Sequence, residues 1–521
     1  MEGSAAEFEM LKLRSTATEL LLKENWCEYI NLYSRFISSC DFPQTSQKED
    51  DGSLKLRRTL CSALCNRADA YFKIRDLDAA LMDCNHALKL DPFHFKALVC
   101  KGKILLDLHC YSQASECFQR AKALPLADSS LSLLLKRSQK LDSQSKTGFI
   151  DLSAWVLDGF NGACPELAEF VRNVEIRRSE SGGGRGLFAT RSVEAGTPLV
   201  ITKAVVLGRG IMPKSAGGET ARLVMWKDFV DKIINAVQKC SKTRALLYTL
   251  STGDGEDSDF TVPKIELFKP EFSMDAKSFE LDVERILKVL DVNCLTEESV
   301  SAKVMGKKKE CCGVGLWFLP SFVNHSCCPN ARRLHVGDTM VLYASRDVKE
   351  GEELSFAYFN VLLPLNERRE MAKRWGFFCS CERCNFEEKK ELELGELNET
   401  MEEVEDRVRR WGLKGKGKGY LRASFWPAYR NESEKLKRRR VGSRITEEIS
   451  VAGSIFDAVG GDERIMRSLL KRMKNDRGFG HGVEMEEMEK LMRMARGVYG
   501  KVMKRRAMKA FFELELASTG W

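Results

Sequence analysis

The stretch from Val314 to Cys384 constrains this chain more than any other. It contains Asn324-His325-Ser326-Cys327-Cys328-Pro329-Asn330, then Gly351-Glu352-Glu353-Leu354-Ser355-Phe356-Ala357-Tyr358, then Trp375-Gly376-Phe377-Phe378-Cys379-Ser380-Cys381, with Cys384 three residues further on. A polar Asn-His turn, a tyrosine inside an apolar strand and a tight group of thiols therefore lie close together. Cys379-x-Cys381-x-x-Cys384 places three thiols within six residues, so one short loop can wrap a metal ion. A closed zinc site takes four ligands in a tetrahedron, so one more is required. Cys327 and Cys328 are the candidates; His325 is a third, better kept for the polar turn.

Fourteen of the eighteen cysteines are scattered, many over helical-looking segments. In a reducing compartment such residues are mostly small buried apolar groups. No stretch approaches the roughly 20 apolar residues of a membrane span, and the start lacks the basic-then-apolar order of a secretory signal. The cytosol or nucleus is therefore expected, with no membrane partner. At 521 residues and 43% apolar content, two to four globular domains are expected. A net charge of +8 is mild and does not by itself argue for nucleic acid.

Residues 1–145 carry a period of 34. Aligning Cys61–His94 with Phe95–Asp128 pairs Ala68, Tyr71, Ala80, Cys84 and Ala87 with Gly102, Leu105, Ala114, Phe118 and Ala121. Small residues fall where two helices cross, large ones between them, which resembles the tetratricopeptide repeat. A weaker copy holds Ala17, Leu20, Tyr29, Tyr33 and Phe36, set apart by the polar insert Gln44–Ser53.

From Val174 the period shortens: Val174–Glu180 alternates, Gly182–Gly186 is a glycine-rich turn, and Leu187–Thr202 reads as two short strands around a turn at Glu194–Thr197. The turn lacks the frame of a dinucleotide site. Residues 217–310 read as mainly helical, through Ala221–Tyr248 and Phe279–Leu290, with polar joints at Ser251–Ser258 and Lys303–Glu310. From residue 385 to 521 the chain is highly charged: Glu387–Arg410 and Glu484–Phe512 are helical by period, and Lys414–Gly419 reads as a Lys/Gly linker. Lys435–Arg440 is a basic run that suits a nuclear address, an anion-binding patch or a solvated helix face.

The motifs between 314 and 384 resemble the second half of a SET domain with its post-SET zinc loop (375–384), and Gly184-Arg185-Gly186-Leu187-Phe188-Ala189 resembles the amino-terminal glycine motif of that domain. Of SET families the chain is most similar to the SMYD group, without that group's MYND zinc module. The resemblance implies a multidomain α+β protein: a TPR-like helical solenoid, a β-rich SET domain (170–384) of small pseudoknotted sheets with a helical insert at about 206–311, and a helical carboxy-terminal region. It implies S-adenosylmethionine held by Gly184, Arg185, Gly186, Asn324 and His325, with Trp375 lining the site and Phe377, or its neighbour Phe378, stacking on adenine. It makes Tyr358 the catalytic tyrosine and Cys327 the cysteine that joins Cys379, Cys381 and Cys384 on a structural zinc.

The implied activity is protein-lysine N-methylation of a histone or non-histone protein, docked in part by the repeats, with the helical tail walling the substrate groove. A catalytically silent adaptor, whose SET fold only braces the repeats, is the rival of a different class. A nucleic-acid-binding reading rests on Lys435–Arg440 alone.

Overall fold

The computed structural model describes residues 13, 15–40, 51–125, 129–180, 184–211, 218–253, 261–272, 281–297, 311–390, 399–430, 445–477 and 485–518. The basic run Lys435–Arg440 and the polar joint Lys303–Glu310 lie outside them. Contacts divide the chain into two compact units: Met1–Lys146 with Lys232–Tyr248 and Lys269–Val283, and Thr147–Asp231 with Thr249–Phe268 and Glu284–Trp521. No described helix is long and apolar enough to cross a membrane.

The first unit is a series of helix pairs, Trp26–Ser39, Asp51–Lys73, Leu77–Leu90, Phe95–Asp107 and Tyr111–Lys122 among them. The 34-residue period is visible in the backbone: Arg75 and His109, 34 residues apart, both adopt left-handed φ (65° and 62°) where one helix hands over to the next. Side-chain caps start the helices, Asp76 accepting from Ala79 N at 3.1 Å and His94 Nδ1 from Ala97 N at 3.2 Å. Ala68, Ala80, Cys84, Ala87, Ala114, Phe118 and Ala121 are all fully buried. A Cβ on Gly102 would run into the Phe118 ring, its Cζ 2.7 Å away, which is why the crossing takes no larger residue. The weaker copy is also packed, with Ala17, Tyr29 and Tyr33 buried in one cluster.

Part of the segment read as an insert of the second unit groups here instead. Ser241 donates to Asp78 Oδ2 through both N (3.0 Å) and Oγ (2.9 Å), and Lys239 Nζ donates to Ile74 O at 2.6 Å. The helices are Gly218–Lys239, Ser241–Leu247 and Val283–Asn293, and strands border the segment.

The second unit is built on small sheets, eleven short strands among the described residues. They are β1 (Phe170–Val171), β2 (Val174–Arg178), β3 (Arg185–Ala189), β4 (Pro198–Lys203), β5 (Val206–Ile211), β6 (Leu295–Glu297), β7 (Cys311–Leu316), β8 (Asn324–His325), β9 (Ala331–Val336), β10 (Thr339–Ala344) and β11 (Ser355–Phe356). Their orders are β1-β4-β10-β9, β5-β7-β6, β2-β3 and β11-β8. Strands β5 and β6 fall within the insert expected to be helical; at six and three residues they carry too little periodicity to separate strand from helix.

Strand β10 is buried at every position, which explains its unbroken apolar run Met340-Val341-Leu342-Tyr343. One covering layer comes from the carboxy-terminal helices. Tyr343 OH donates to Val498 O, Arg332 to Gly461 O, and Lys501 N to Gly196 O at 2.8 Å. Val341, Tyr343, Ile455, Leu491 and Phe511 share one core with Cys327, Cys379 and Cys384. The charged tail is thus a structural layer of the second unit. Among the described residues it does not line the cleft described below.

Three local expectations change. Lys414–Gly419 is no linker: Gly415–Ser424 is a helix, and a Cβ on Gly419 would press on Ala458 at 2.7 Å, so the glycine permits close packing against helix Ile445–Ala458. Glu387–Arg410 is two helices, Glu382–Lys390 and Met401–Arg410, the second opened by a Thr400–Glu403 capping box. Glu484–Phe512 divides into Met485–Tyr499 and Arg505–Ser518.

Gly460 sits at φ +64°, and a Cβ there would be driven onto the Pro329 carbonyl, whose carbon is 2.8 Å away. Gly460→Ala is expected to cost about 2–4 kcal/mol, from left-handed strain plus overpacking, measured by denaturant unfolding.

Candidate active site

The site is assembled where residues 351–356 pass between two other segments. On one side Leu354 N donates to Leu187 O at 2.7 Å and Ala189 N to Glu352 O at 3.0 Å. On the other, β11 pairs in parallel with β8, Ser355 opposite Asn324 and Phe356 opposite His325. Asn330, 2% exposed, locks this crossing. Its Nδ2 donates to Glu353 O (2.8 Å) and Glu352 Oε1 (3.0 Å), its Oδ1 accepts from Ser355 N (2.8 Å), and its carbonyl accepts from Ser345 N (2.8 Å). A buried amide with every polar atom used fixes one geometry.

That crossing sets Tyr358 beside Asn324-His325. The Tyr358 N–H donates to His325 Nδ1 at 3.0 Å, and its hydroxyl donates to Val323 O at 2.9 Å. Burial pushes the Tyr358 phenol up to about 12. Because Nδ1 of His325 accepts from a main-chain N–H, its ring proton is on Nε2, which donates to Cys327 Sγ at 3.3 Å. The imidazole also stacks on Phe359, 4.2 Å between centroids at 26°. Both ring nitrogens of His325 are therefore used within the protein, leaving its main chain for a ligand.

Tyr358, Asn324, His325, Gly184, Arg185, Trp375 and Phe377 line one open cleft of about 1220 Å³. Phe377 packs at the tyrosine, 5.9 Å from Tyr358 and 5.4 Å from His325, and Trp375 lies 5.2 Å from Tyr358. Phe378 also borders the cleft but is 61% exposed, with the Arg369 guanidinium 5.2 Å above its ring. Gly184 is in the left-handed region (φ +89°) with open space where a Cβ would stand, so ligand can approach its backbone. Gly186 differs: the Glu353 carboxyl occupies the place of its Cβ, with Cδ 3.0 Å away, and Gly186 does not line the cleft. An open cleft with an unobstructed glycine backbone, an Asn side-chain oxygen and half-exposed rings is a fitting polar lining and stacking surface for a nucleoside-bearing amino acid.

The Sγ atoms of Cys327, Cys379, Cys381 and Cys384 lie within 4.8 Å of one another and are largely buried. Hydrogen bonds from Cys379, Cys384 and His325 favour the thiolate of Cys327 and hold it below the usual thiol range. Four soft donors at this spacing fit a tetrahedral zinc. Cys328, the alternative fourth ligand, is outside this group, its thiol 3.6 Å from Ser326 Oγ. Around the cluster Arg368 Nη1 donates to Cys384 Sγ at 3.1 Å and pairs with Glu387, while Arg383 Nε meets Glu387 Oε1 at 2.5 Å, all three side chains at 0–1% exposure. Arg368→Met would strand the Glu387 carboxylate with one cation. A loss of about 3–5 kcal/mol is expected in denaturant melts, together with faster zinc release to a chelator.

Asn330, Glu353 and the Val323 carbonyl had no role in the sequence reading. An asparagine and an acidic pair within otherwise apolar motifs were the available signal; their partners are up to 174 residues away in the chain, as for Glu353 and Ser179.

Residues 184–359 match the family model of the SET domain, and Asn324, His325 and Tyr358 of the cleft lie within them. The chain is 24% identical over 395 residues to a "Methyltransferase" of Gibberella zeae, covering 71% of this chain and 51% of that protein. It is 34% identical over 107 residues to human histone-lysine N-methyltransferase SMYD3, covering 19% of this chain and 25% of that one. It is 37% identical over 106 residues to histone-lysine N-methyltransferase SET5 of Yarrowia lipolytica, covering 20% and 22%. The chain thus spans about half the length of the first of these relatives and a quarter or less of the others. Among solved structures, the first TPR of Spaghetti (RPAP3) bound to an HSP90 peptide overlaps 26% of this chain and 92% of that one, at 19% identity and a TM-score of 0.21.

Proposed function

We propose that the chain is a protein-lysine N-methyltransferase that uses S-adenosylmethionine and carries one structural zinc. The observation that supports this most is the convergence of Tyr358, Asn324 and Arg185, all within the residues that match the SET domain, with Phe377 on one cleft. When bound, S-adenosylmethionine supplies a methyl group on a sulfonium, ready for in-line displacement. Gly184, Arg185, Asn324 and the His325 main chain would hold its amino-acid portion, and Phe377 and Trp375 its adenosine.

The protein's own part is alignment and desolvation. A free lysine, with a pKa near ~10.4, is almost wholly protonated at neutral pH. Aromatic walls around Tyr358 favour its neutral amine by excluding water. The Tyr358 proton is already given to Val323 O, so the phenol oxygen faces a substrate amine as an acceptor and orients the nitrogen lone pair. With its phenol pushed up to about 12, Tyr358 acts as an orienting acceptor and not as a base at neutral pH. Cys327, Cys379, Cys381 and Cys384 would hold zinc, tying the loop that carries Phe377 to the turn that carries Asn324.

The substrate is a protein, histone or non-histone, and the repeats are its docking surface or that of a partner. Transfer of tritiated methyl into a cell extract by the full chain, followed by mapping of the labelled lysine, tests this reading. Label on a lysine, absent with Tyr358→Phe, supports it. No label, together with no calorimetric heat for S-adenosylmethionine or S-adenosylhomocysteine, favours the silent adaptor.

A further inference from the structure

Asn324 Nδ2 has two hydrogens, and both have partners. One goes to Arg185 O at 3.1 Å and the other to Glu353 Oε1 at 2.7 Å. A carbonyl and a carboxylate only accept, so the amide cannot be turned over without facing oxygen to oxygen. Among the described residues no donor reaches Asn324 Oδ1. The amide thus offers the cleft an acceptor and nothing else, and the group it meets there must be a donor.

The Glu353 carboxyl is itself tightly placed. Its Oε2 accepts from Ser179 Oγ at 2.9 Å, its backbone bridges Phe188, and its carboxyl lies over Gly186 where no Cβ fits. It therefore joins the strand β2 end, the glycine turn and the Asn-His turn through one side chain that borders the cleft.

We infer that Glu353 is the positioning residue of the cofactor site: it sets the polarity of Asn324 so that Oδ1 accepts from the α-ammonium group of the cofactor. The inference rests on the methyltransferase reading. It also assigns Gly186 a different reason from Gly184, since Gly186 makes room for the carboxyl and Gly184 for the ligand.

The test is calorimetry on the full chain with two probes, S-adenosylhomocysteine and 5′-methylthioadenosine, which lacks the amino-acid moiety. Glu353→Ala is expected to weaken S-adenosylhomocysteine by about ten-fold or more, the worth of a charged hydrogen bond lost or misdirected, with 5′-methylthioadenosine unchanged. Glu353→Gln, which keeps an acceptor toward Asn324 and a partner for Ser179, is expected to restore most of that affinity. Equal weakening of both probes in Glu353→Ala would mean that the side chain only holds the fold, and unchanged binding of both that it does not act on Asn324; either overturns the inference. If the unaltered protein binds neither probe, the methyltransferase reading falls first.

Discussion

Tyr358→Phe is expected to lower methyl transfer roughly a hundred-fold or more while cofactor affinity stays within about three-fold, because the lost oxygen aligns the acceptor nitrogen and does not touch the cofactor's binding groups. The fold should survive. The ring keeps its contacts with Trp375 and Phe377, and only the Val323 carbonyl loses its donor at 2.9 Å, worth about 1 kcal/mol. Single-turnover transfer, with calorimetric binding of S-adenosylhomocysteine, separates the two effects; an active phenylalanine variant removes the tyrosine from the mechanism. The pH dependence follows from the direction of the Tyr358 shift. Its folded value, about 12, lies above the ordinary phenol value. The stability it links is therefore complete below pH ~10 and lost only as pH rises toward 12. Any rise in the rate of the unaltered enzyme between pH 7 and 10 should thus report the substrate lysine, and should keep its midpoint when the lysine is left unchanged and Tyr358 is replaced.

Zinc removal is the second large effect. Metal analysis should find one zinc per chain, and Cys381→Ser should lose it, because three thiols cannot close a tetrahedron. Structural zinc sites contribute on the order of 10 kcal/mol of folding free energy at neutral pH. Here the loss would reach the cleft of Tyr358 directly. Cys327 receives the His325 Nε2–H at 3.3 Å, and the same imidazole receives the Tyr358 N–H at 3.0 Å. S-adenosylhomocysteine binding should therefore vanish with the metal, not merely weaken. Cys328→Ser, outside the four-thiol group, should keep both zinc and binding. A protein without zinc that still binds the cofactor product would sink the cluster assignment.

How much of this was legible beforehand depends on the range of each interaction. The helix pairs were readable because a 34-residue period repeats the same local packing, down to the left-handed Arg75 and His109. Tyr358 beside Asn324-His325 was readable because the motifs carrying them are short and chemically distinctive. The side chains that join those motifs were not. Glu353 reaches Ser179 and Asn324, and Asn330 reaches residues 352–355, through contacts with no sequence period. Phe377 and Phe378 are adjacent and chemically alike, so only the turn of the backbone could say which packs on Tyr358.

The residues alone determined the elements and the chemistry: paired helices from spaced alanines and glycines, a thiol cluster from cysteine spacing, an Asn-His turn and a strand-borne tyrosine. Only the folded chain decided which surfaces close on one another. The tail from 445 to 518, which reads as charged helices, became a layer over β10, because a strand apolar on both faces must be covered on both. Part of the helical segment went to the repeat unit, where Asp78 holds Ser241. Burial of that kind is settled by complementary shape between distant segments, whereas local periodicity reports only which face of an element seeks a partner.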